Sequence, residues 1–253
     1  MKLSGNTVLI TGGAAGIGFA FAERFIKAGN KVIVCGRREA KLQEAKEKNP
    51  ELITRVCDVT KETERIALFD WVTSEYPDVN VFVNNAGIQQ RYHVLNTNVK
   101  DDWHYYSKEI TSNIEAPFHF AMLFAQHFAK KDYAVILNVS SGLAFTPMAI
   151  APIYSATKAA VHSFTVSLRH QLEDTNIEVI EIAPPAVNTD LGGAGLHTFG
   201  TPVDEFADAI FNGLEAGETE IGYARAAKAM RMSRDEIDES VKTMYDNMKN
   251  TIL

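Results

Sequence analysis

Cysteine is scarce in this 253-residue chain, with only Cys35 and Cys57. Two thiols in a chain of this length make no disulfide framework, and they read as reduced side chains that pack as small hydrophobes. No apolar run approaches the roughly 20 residues that a bilayer-spanning helix needs. The segment Met1-Lys2-Leu3-Ser4-Gly5-Asn6 enters a short apolar run that stops at glycines. That is too short for a signal peptide, so a cytoplasmic protein is expected. Blocks of like charge, internal repeats, low-complexity tracts and an obvious linker are all missing. Basic residues are not in excess either: 25 Lys and Arg stand against 32 Asp and Glu, a net charge of −7. This argues against a nucleic-acid partner, because binding phosphates needs a basic surface. The seven histidines are His93, His104, His119, His127, His162, His170 and His197. No two of them form an H-E-x-x-H motif and none joins a cysteine at zinc spacing, so no metal site is expected.

The chain does have core-forming material, with 46% hydrophobic residues. One domain over residues 1–253 is the default for this length. Apolar runs of strand length fall at 7–11, 31–35, 54–58, 79–83, 134–139, 178–183 and 220–223. Several are rich in Val and Ile, as in strands buried on both faces. Helical patterns lie between them at 19–28, 39–48, 61–75, 101–131 (with a break near Pro117) and 153–174. The alternation predicts an α/β fold: a Rossmann-like, doubly wound, mostly parallel seven-stranded sheet with helices on both faces. Residues 188–202, rich in Gly and Thr, read as a lid or a disordered loop. Residues 233–253 read as a charged peripheral helix. Trp71 and Trp103 read as helix packing residues.

The first strand runs into Thr11-Gly12-Gly13-Ala14-Ala15-Gly16-Ile17-Gly18 and then a helix. In that context backbone N–H groups and a helix N-terminus can cradle a pyrophosphate, which larger side chains would keep away. The spacing is T-G-x-x-x-G-I-G rather than G-x-G-x-x-G. The second strand ends Val34-Cys35-Gly36-Arg37-Arg38. An acid at this strand end would hold a ribose 2′-hydroxyl, whereas arginine accommodates a 2′-phosphate. Gly36 stands where the acid is expected, so Arg37 or the adjacent Arg38 predicts NADP(H). Tyr154 and Lys158 are four residues apart and share one helical face. An unperturbed tyrosine titrates near 10. A nearby ammonium would stabilise its phenolate and bring it towards useful acid–base chemistry.

With these motifs the chain resembles the short-chain dehydrogenases/reductases, over nearly its whole length. The further markers are Asp58-Val59 after strand three, Asn84-Asn85-Ala86-Gly87 after strand four, Asn113 in a helix, Ser141 after strand five and Tyr154-x-x-x-Lys158. The segments 140–145, 167–172 and Ala183-Pro184-Pro185 look most like the DltE-type oxidoreductases of D-alanylation operons.

The resemblance implies hydride transfer between NADP(H) and a small-molecule carbonyl/alcohol pair. Tyr154 would be the acid/base, Lys158 would lower its pKa and hold the nicotinamide ribose, Ser141 would bind the substrate oxygen, and Asn113 would hold a relay water. It further implies cofactor contacts from Thr11, Gly12, Gly13, Ala15, Gly16, Ile17, Gly18, Arg37, Arg38, Asp58, Val59, Asn84, Asn85, Ala86, Gly87, Pro184, Val187 and Thr189. Pro185 replaces the glycine that the family usually carries, which leaves the path of the following loop open. The substrate wall is expected to include Phe145, Gln89, Gln90, Pro185 and residues 191–199. Arg91 and His197 read as solvated surface residues that could also reach an anion. A homodimer or homotetramer through the Tyr154 helix is implied, with Ala156, Ala159, Ala160, Phe164, Val166 and Leu168 on its non-catalytic faces. The alternative is a protein of the same fold that binds NADP without turnover; the presence of all four reaction residues favours the enzyme.

Overall fold

The computed structural model describes residues 1–252. Seven strands form one parallel sheet in the order β3-β2-β1-β4-β5-β6-β7. They are β1 (Thr7–Thr11), β2 (Lys31–Gly36), β3 (Ile53–Val56), β4 (Val79–Asn84), β5 (Ala134–Val139), β6 (Ile177–Ala183) and β7 (Glu220–Gly222). The helices are α1 (Gly16–Lys27), α2 (Glu39–Lys48), α3 (Glu62–Glu75), α4 (Val99–Ile110), α5 (Ala116–Phe128), α6 (Pro152–Gln171), α7 (Val203–Glu215), α8 (Arg225–Ala229) and α9 (Arg234–Ile252). Among the described residues no helix is long and apolar enough to cross a membrane.

Side chains along a strand alternate between faces, and this builds two cores. Val8, Ile10, Val32 and Val34 meet Phe21 and Phe25 of α1, Leu42 of α2, and Phe206 and Ile210 of α7. Leu9, Ile33 and Phe82 meet Leu68 of α3, Phe120 and Phe124 of α5, and Leu168 of α6. A register shift between Thr7 and Val8 against β4 changes the alternation there, so Val79 faces the second core while Val81 and Val83 face the first. The strand order reverses between β1 and β4, and in such sheets the crevice at the carboxyl ends of these strands is the natural ligand site.

Several local expectations change. The long helix does break, but at a π-helical turn over Thr111–Glu115, before Pro117. Pro117 instead sits in the first turn of α5, where a missing N–H costs nothing. Arg65, 1% exposed, fastens α3 to this turn: Nη2 donates to Glu115 Oε1 at 2.7 Å, and Nε donates to His119 Nδ1 at 3.0 Å. Helices α7 and α8 were not anticipated. Trp103 is 52% exposed, so it is not a packing residue. Residues 188–202 form an ordered chain of turns whose ends are pinned by a bridge between Val187 and Thr201. The C-terminal segment is not peripheral. Met244 and Met248 of α9 pack on a small apolar cluster of Met148, Ile150, Ala151 and Tyr154. Leu253 lies outside the described residues.

Phe124 is fully buried and stacks on Phe82 with centroids 4.4 Å apart. Phe124→Ala is expected to cost about 3–5 kcal/mol of stability, measured by chemical denaturation. A loss below about 1 kcal/mol would contradict this account of the α5–sheet core.

Candidate active site

The glycine loop fits close contact with a ligand. Gly12 and Gly16 have φ of +68° and +53°, a region that side chains disfavour. A Cβ on Gly18 would lie 2.5 Å from the Gly12 carbonyl oxygen, so this glycine lets α1 start directly against the loop. Gly12, Ala15, Gly16, Ile17 and Gly18 line a cleft of about 650 Å³, inside the range of roughly 300–1,000 Å³ usual for small-molecule sites. Three expected cofactor contacts lie behind this wall instead. Gly13 is packed on Val34, where a Cβ would come within 2.6 Å of Cγ1. Thr11 Oγ1 accepts from the Asn85 and Ala86 N–H groups, both at 3.0 Å. Asn84 Nδ2 donates to the Pro117 carbonyl at 2.8 Å and to Asn138 Oδ1 at 3.1 Å. These residues hold the loops in register because their polar groups are used up by the protein.

At one end of the cleft stand Gly36, Arg37, Arg38, Asp58 and Val59. Both arginines are exposed, and a Cβ at Gly36 would meet nothing within 4 Å, so there is room beside them. Asp58 caps its own turn, with Oδ1 accepting from Thr60 N–H at 3.1 Å and Thr60 Oγ1 at 2.8 Å. Burial alone would raise its carboxyl, but these two bonds and the charge of Arg37 hold it below the ordinary value. Lys41 also lines this end and was missed, because it lies a helical turn beyond the strand-end motif. Loop residues Asn85, Ala86, Gly87, Pro184, Val187 and Thr189 line the middle. Thr189 reaches back over the glycine loop: a Cβ on Gly16 would lie 3.2 Å from its Cγ2.

At the other end Ser141, Tyr154 and Lys158 come together, 7%, 6% and 5% exposed. Lys158 Nζ donates to the Val139 carbonyl at 2.8 Å. Asn113 sits in the π-helical turn, a deviation that frequently marks functional sites. Its Oδ1 accepts from Ile88 N–H at 2.9 Å, and its Nδ2 donates to the Ile88 carbonyl at 2.8 Å and to Thr157 Oγ1 at 3.2 Å. Asn113 does not line the cleft. It reaches the Lys158 neighbourhood at Gly87, where a Cβ would lie 3.1 Å from Asn113 Oδ1 and 3.8 Å from Lys158 Nζ. Both adjacent serines line the cleft, but their hydroxyls differ: Ser140 Oγ donates to the buried Glu181 Oε1 at 2.5 Å, whereas Ser141 Oγ accepts from Leu143 N–H at 3.1 Å and keeps its own proton to donate.

The electrostatics correct one expectation. Lys158 does not dominate Tyr154. Burial pushes the Tyr154 hydroxyl above its ordinary value, although a hydrogen bond with Ser141 favours its ionised form and the Glu109 charge opposes it. Lys158 Nζ stands 5.7 Å from the Tyr154 ring centroid, and burial lowers its own pKa to about 8 while Glu109 pulls upward. Tyr154 is thereby held with its proton, in the form that can act as an acid.

Glu109 was missed altogether. It is fully buried on α4, Oε1 accepts from Gln90 N–H at 2.9 Å, and Oε2 has no partner. Burial raises its carboxyl to about 7. One carboxylate on a helix of mixed polarity carries no signal of burial, so only the fold reveals it.

The expected substrate wall is partly met. Gln89, Pro185, Leu191, His197 and Phe199 line the cleft, whereas Phe145 packs on His162 at 4.5 Å and Gln90 turns to the Tyr105 carbonyl. Among the described residues no group of three His, Cys, Asp or Glu side chains could hold a metal ion.

A nucleotide-sized cleft at the reversal point of a parallel sheet, with a buried Ser-Tyr-Lys set at one end, defines a Rossmann-like oxidoreductase. The family model for short chain dehydrogenases matches residues 6–197, and the chain belongs to that family, whose members act on alcohol/carbonyl pairs. It is 44% identical over 249 residues to a protein of Bacillus subtilis (strain 168) described as uncharacterized oxidoreductase DltE, covering 96% of this chain and 98% of that one. This bears out the DltE-type resemblance. Among solved structures, a short-chain dehydrogenase from Sphingobium yanoikuyae in complex with NADPH superposes with a TM-score of 0.76 at 24% identity, covering 98% of this chain and 96% of that chain. One from Burkholderia phymatum in complex with NAD gives 0.81 at 19% identity, covering 100% and 97%. These likenesses show the shared fold.

Carbonyl reduction is expected to fall with a pKa near 8 as Lys158 loses its proton. Glu109→Gln removes an anion that favours the ammonium, so the alkaline limb of the pH–rate profile should move to lower pH. An unmoved limb would refute the coupling.

Proposed function

We propose that this protein, as a single domain, interconverts a carbonyl and an alcohol with NADP(H). The burial of Tyr154, Lys158 and Ser141 together at one end of the cleft, with the glycine loop beside them, carries the reading. NADP(H), when bound, supplies or accepts the hydride. The Gly12–Gly18 loop and the N-terminus of α1 would hold the pyrophosphate on backbone N–H groups. Arg37 and Arg38 would hold the 2′-phosphate in the open space beside Gly36, and Asp58 and Val59 would flank the adenine. Asn85–Gly87 would pass under the nucleotide, and Pro184, Val187 and Thr189 would close over its nicotinamide end.

In reduction, Ser141 Oγ donates a hydrogen bond to the substrate carbonyl oxygen and Tyr154 gives that oxygen its phenolic proton. Lys158 stabilises the phenolate that results and holds the nicotinamide ribose. Asn113 fixes the Ile88 backbone beside Lys158, where a relay water would return the proton. Oxidation runs these steps in reverse. Oligomerisation through α5 and α6 is supported by the stack of Phe118 on Phe164, centroids 4.1 Å apart, beside Met122, which is 56% exposed. Leu168 does not belong to that face, since it is buried in the chain's own core.

Tyr154→Phe is expected to abolish NADPH-dependent carbonyl reduction while nucleotide binding, followed by NADPH fluorescence, stays within about threefold; retained turnover would refute the assigned acid. Arg37→Ala should weaken NADPH binding by about tenfold or more with little change for NADH, since a charge-assisted bond to the 2′-phosphate is worth about 1.5–3 kcal/mol. Equal losses for the two nucleotides would overturn the NADP preference.

A further inference from the structure

Arg91 is a half-buried cation with no acid beside it. Among the described residues no carboxylate pairs with it. Its Nη2 contacts His197 Nε2 at 2.7 Å and Gln89 Oε1 at 3.5 Å, and its Nε is buried with no partner. A guanidinium only donates, so His197 Nε2 must accept, and the imidazole carries its one proton on Nδ1. That Nδ1 is also buried, and it is turned to the backbone of Thr189 and Leu191 without a close hydrogen bond to either. Burial, and then the charge of Arg91, hold His197 below its ordinary value, which agrees with a neutral ring. The two side chains thus carry one net positive charge, and Arg91 Nε is a buried donor left unused. A solvated surface role does not fit: His197 is 6% exposed, and burial already lowers the Arg91 guanidinium. The loop has further ties of its own: residues 188–202 are pinned by the Val187–Thr201 bridge and by hydrogen bonds between Asn188 and Thr201 and between Gly193 and Asp190.

Both side chains line the cleft that holds Ser141 and Tyr154. Arg91 follows Gly87, which adjoins Lys158, by four residues, so their Cα atoms are no more than ~14 Å apart. The cleft wall around Tyr154 is apolar, formed by Leu143, Met148, Leu191, Met244 and Met248. Methionine and leucine select no polar group but accept a flexible carbon chain. An anion is the chemistry that satisfies a desolvated guanidinium, and a planar carboxylate suits its fork.

We propose that Arg91 and His197 form a carboxylate-recognition subsite, and that the substrate is an oxo acid or hydroxy acid whose reacting carbon and carboxylate are separated by an apolar segment. This rests on the oxidoreductase reading for the identity of the reacting end, but the anion subsite can be measured without turnover. The subsite sets specificity; it takes no part in proton transfer.

Two measurements on the NADPH-loaded protein test it. The first compares kcat/KM for 6-oxohexanoate and its methyl ester. Wild type should prefer the acid at least tenfold, Arg91→Met should bring the ratio close to one, and Arg91→Lys should recover part of the preference. A wild-type ratio near one, or a ratio unchanged by Arg91→Met, overturns the proposal. The second titrates hexanoate, hexanamide and hexyl phosphate calorimetrically. Hexanoate binding that exceeds hexanamide in wild type and is lost in Arg91→Met supports the subsite even if no carbonyl is turned over, in which case only the reductase reading fails. Equal heats for acid and amide overturn the subsite. Tighter binding of hexyl phosphate than of hexanoate overturns the carboxylate assignment in favour of a phosphate. NADPH fluorescence reports that each variant is folded, and His197→Asn should weaken hexanoate binding less than Arg91→Met.

Discussion

Lys158 is a buried amine tied to the Val139 carbonyl at 2.8 Å, and the active site is arranged around the difficulty of keeping it charged. Removing a charge from water is costly unless it is paired or hydrogen-bonded. Burial brings its pKa down to about 8, and the charge of Glu109, on α4, opposes that shift. Glu109 is buried in turn and raised to about 7. The two groups therefore stabilise each other's charged forms across the turn that carries Asn113. The π-helical turn, the Arg65–Glu115 pair that braces it and the Gly87 backbone beside Lys158 form one connected support.

The sheet positions this support relative to the nucleotide end. β1 and β4 are neighbours although far apart in sequence, so the loop after each opens at the same edge. Thr11 at the end of β1 caps the Asn85 and Ala86 N–H groups after β4, and Asn85 Nδ2 donates back to the Thr11 carbonyl at 2.9 Å. The residues that look most like cofactor ligands in the motif are thus partly the bolts that join two loops. Pro185, which departs from the family pattern, leaves the adjacent loop well anchored: Pro184 accepts from Gly142 N–H at 2.8 Å, and Val187 is 4% exposed.

The strands were legible because alternating or continuous apolar runs depend only on near neighbours, and their predicted ends differ from the observed ones by no more than two residues. Ser141, Tyr154 and Lys158, the proposed reaction set, were legible from spacing and resemblance together, and all three meet in the cleft. Less was visible wherever a residue's role depends on what lies opposite. Thr11, Gly13 and Asn84 belong to the right motifs yet spend their polar or steric capacity inside the protein. The expected control of Tyr154 by Lys158 used the right neighbours but omitted burial, which sets the direction of the shift. The charged pattern of α9 suggested a surface addition, since two methionines on one face give a weak signal, yet both cover the Tyr154 cluster.

By itself the sequence determined the alternation of strands and helices, the glycine turn, the arginine pair after β2 and the Tyr154–Lys158 face, because each is written in residues close together along the chain. Tertiary structure alone decided that Ser140 is taken by Glu181, that the buried Glu109 acts on the charge of Lys158, and that Arg91 meets His197 across 106 positions of sequence. Those contacts follow from which strand ends and loops share an edge of the sheet, and the burial that sets their charges exists only once the cores on both faces have closed.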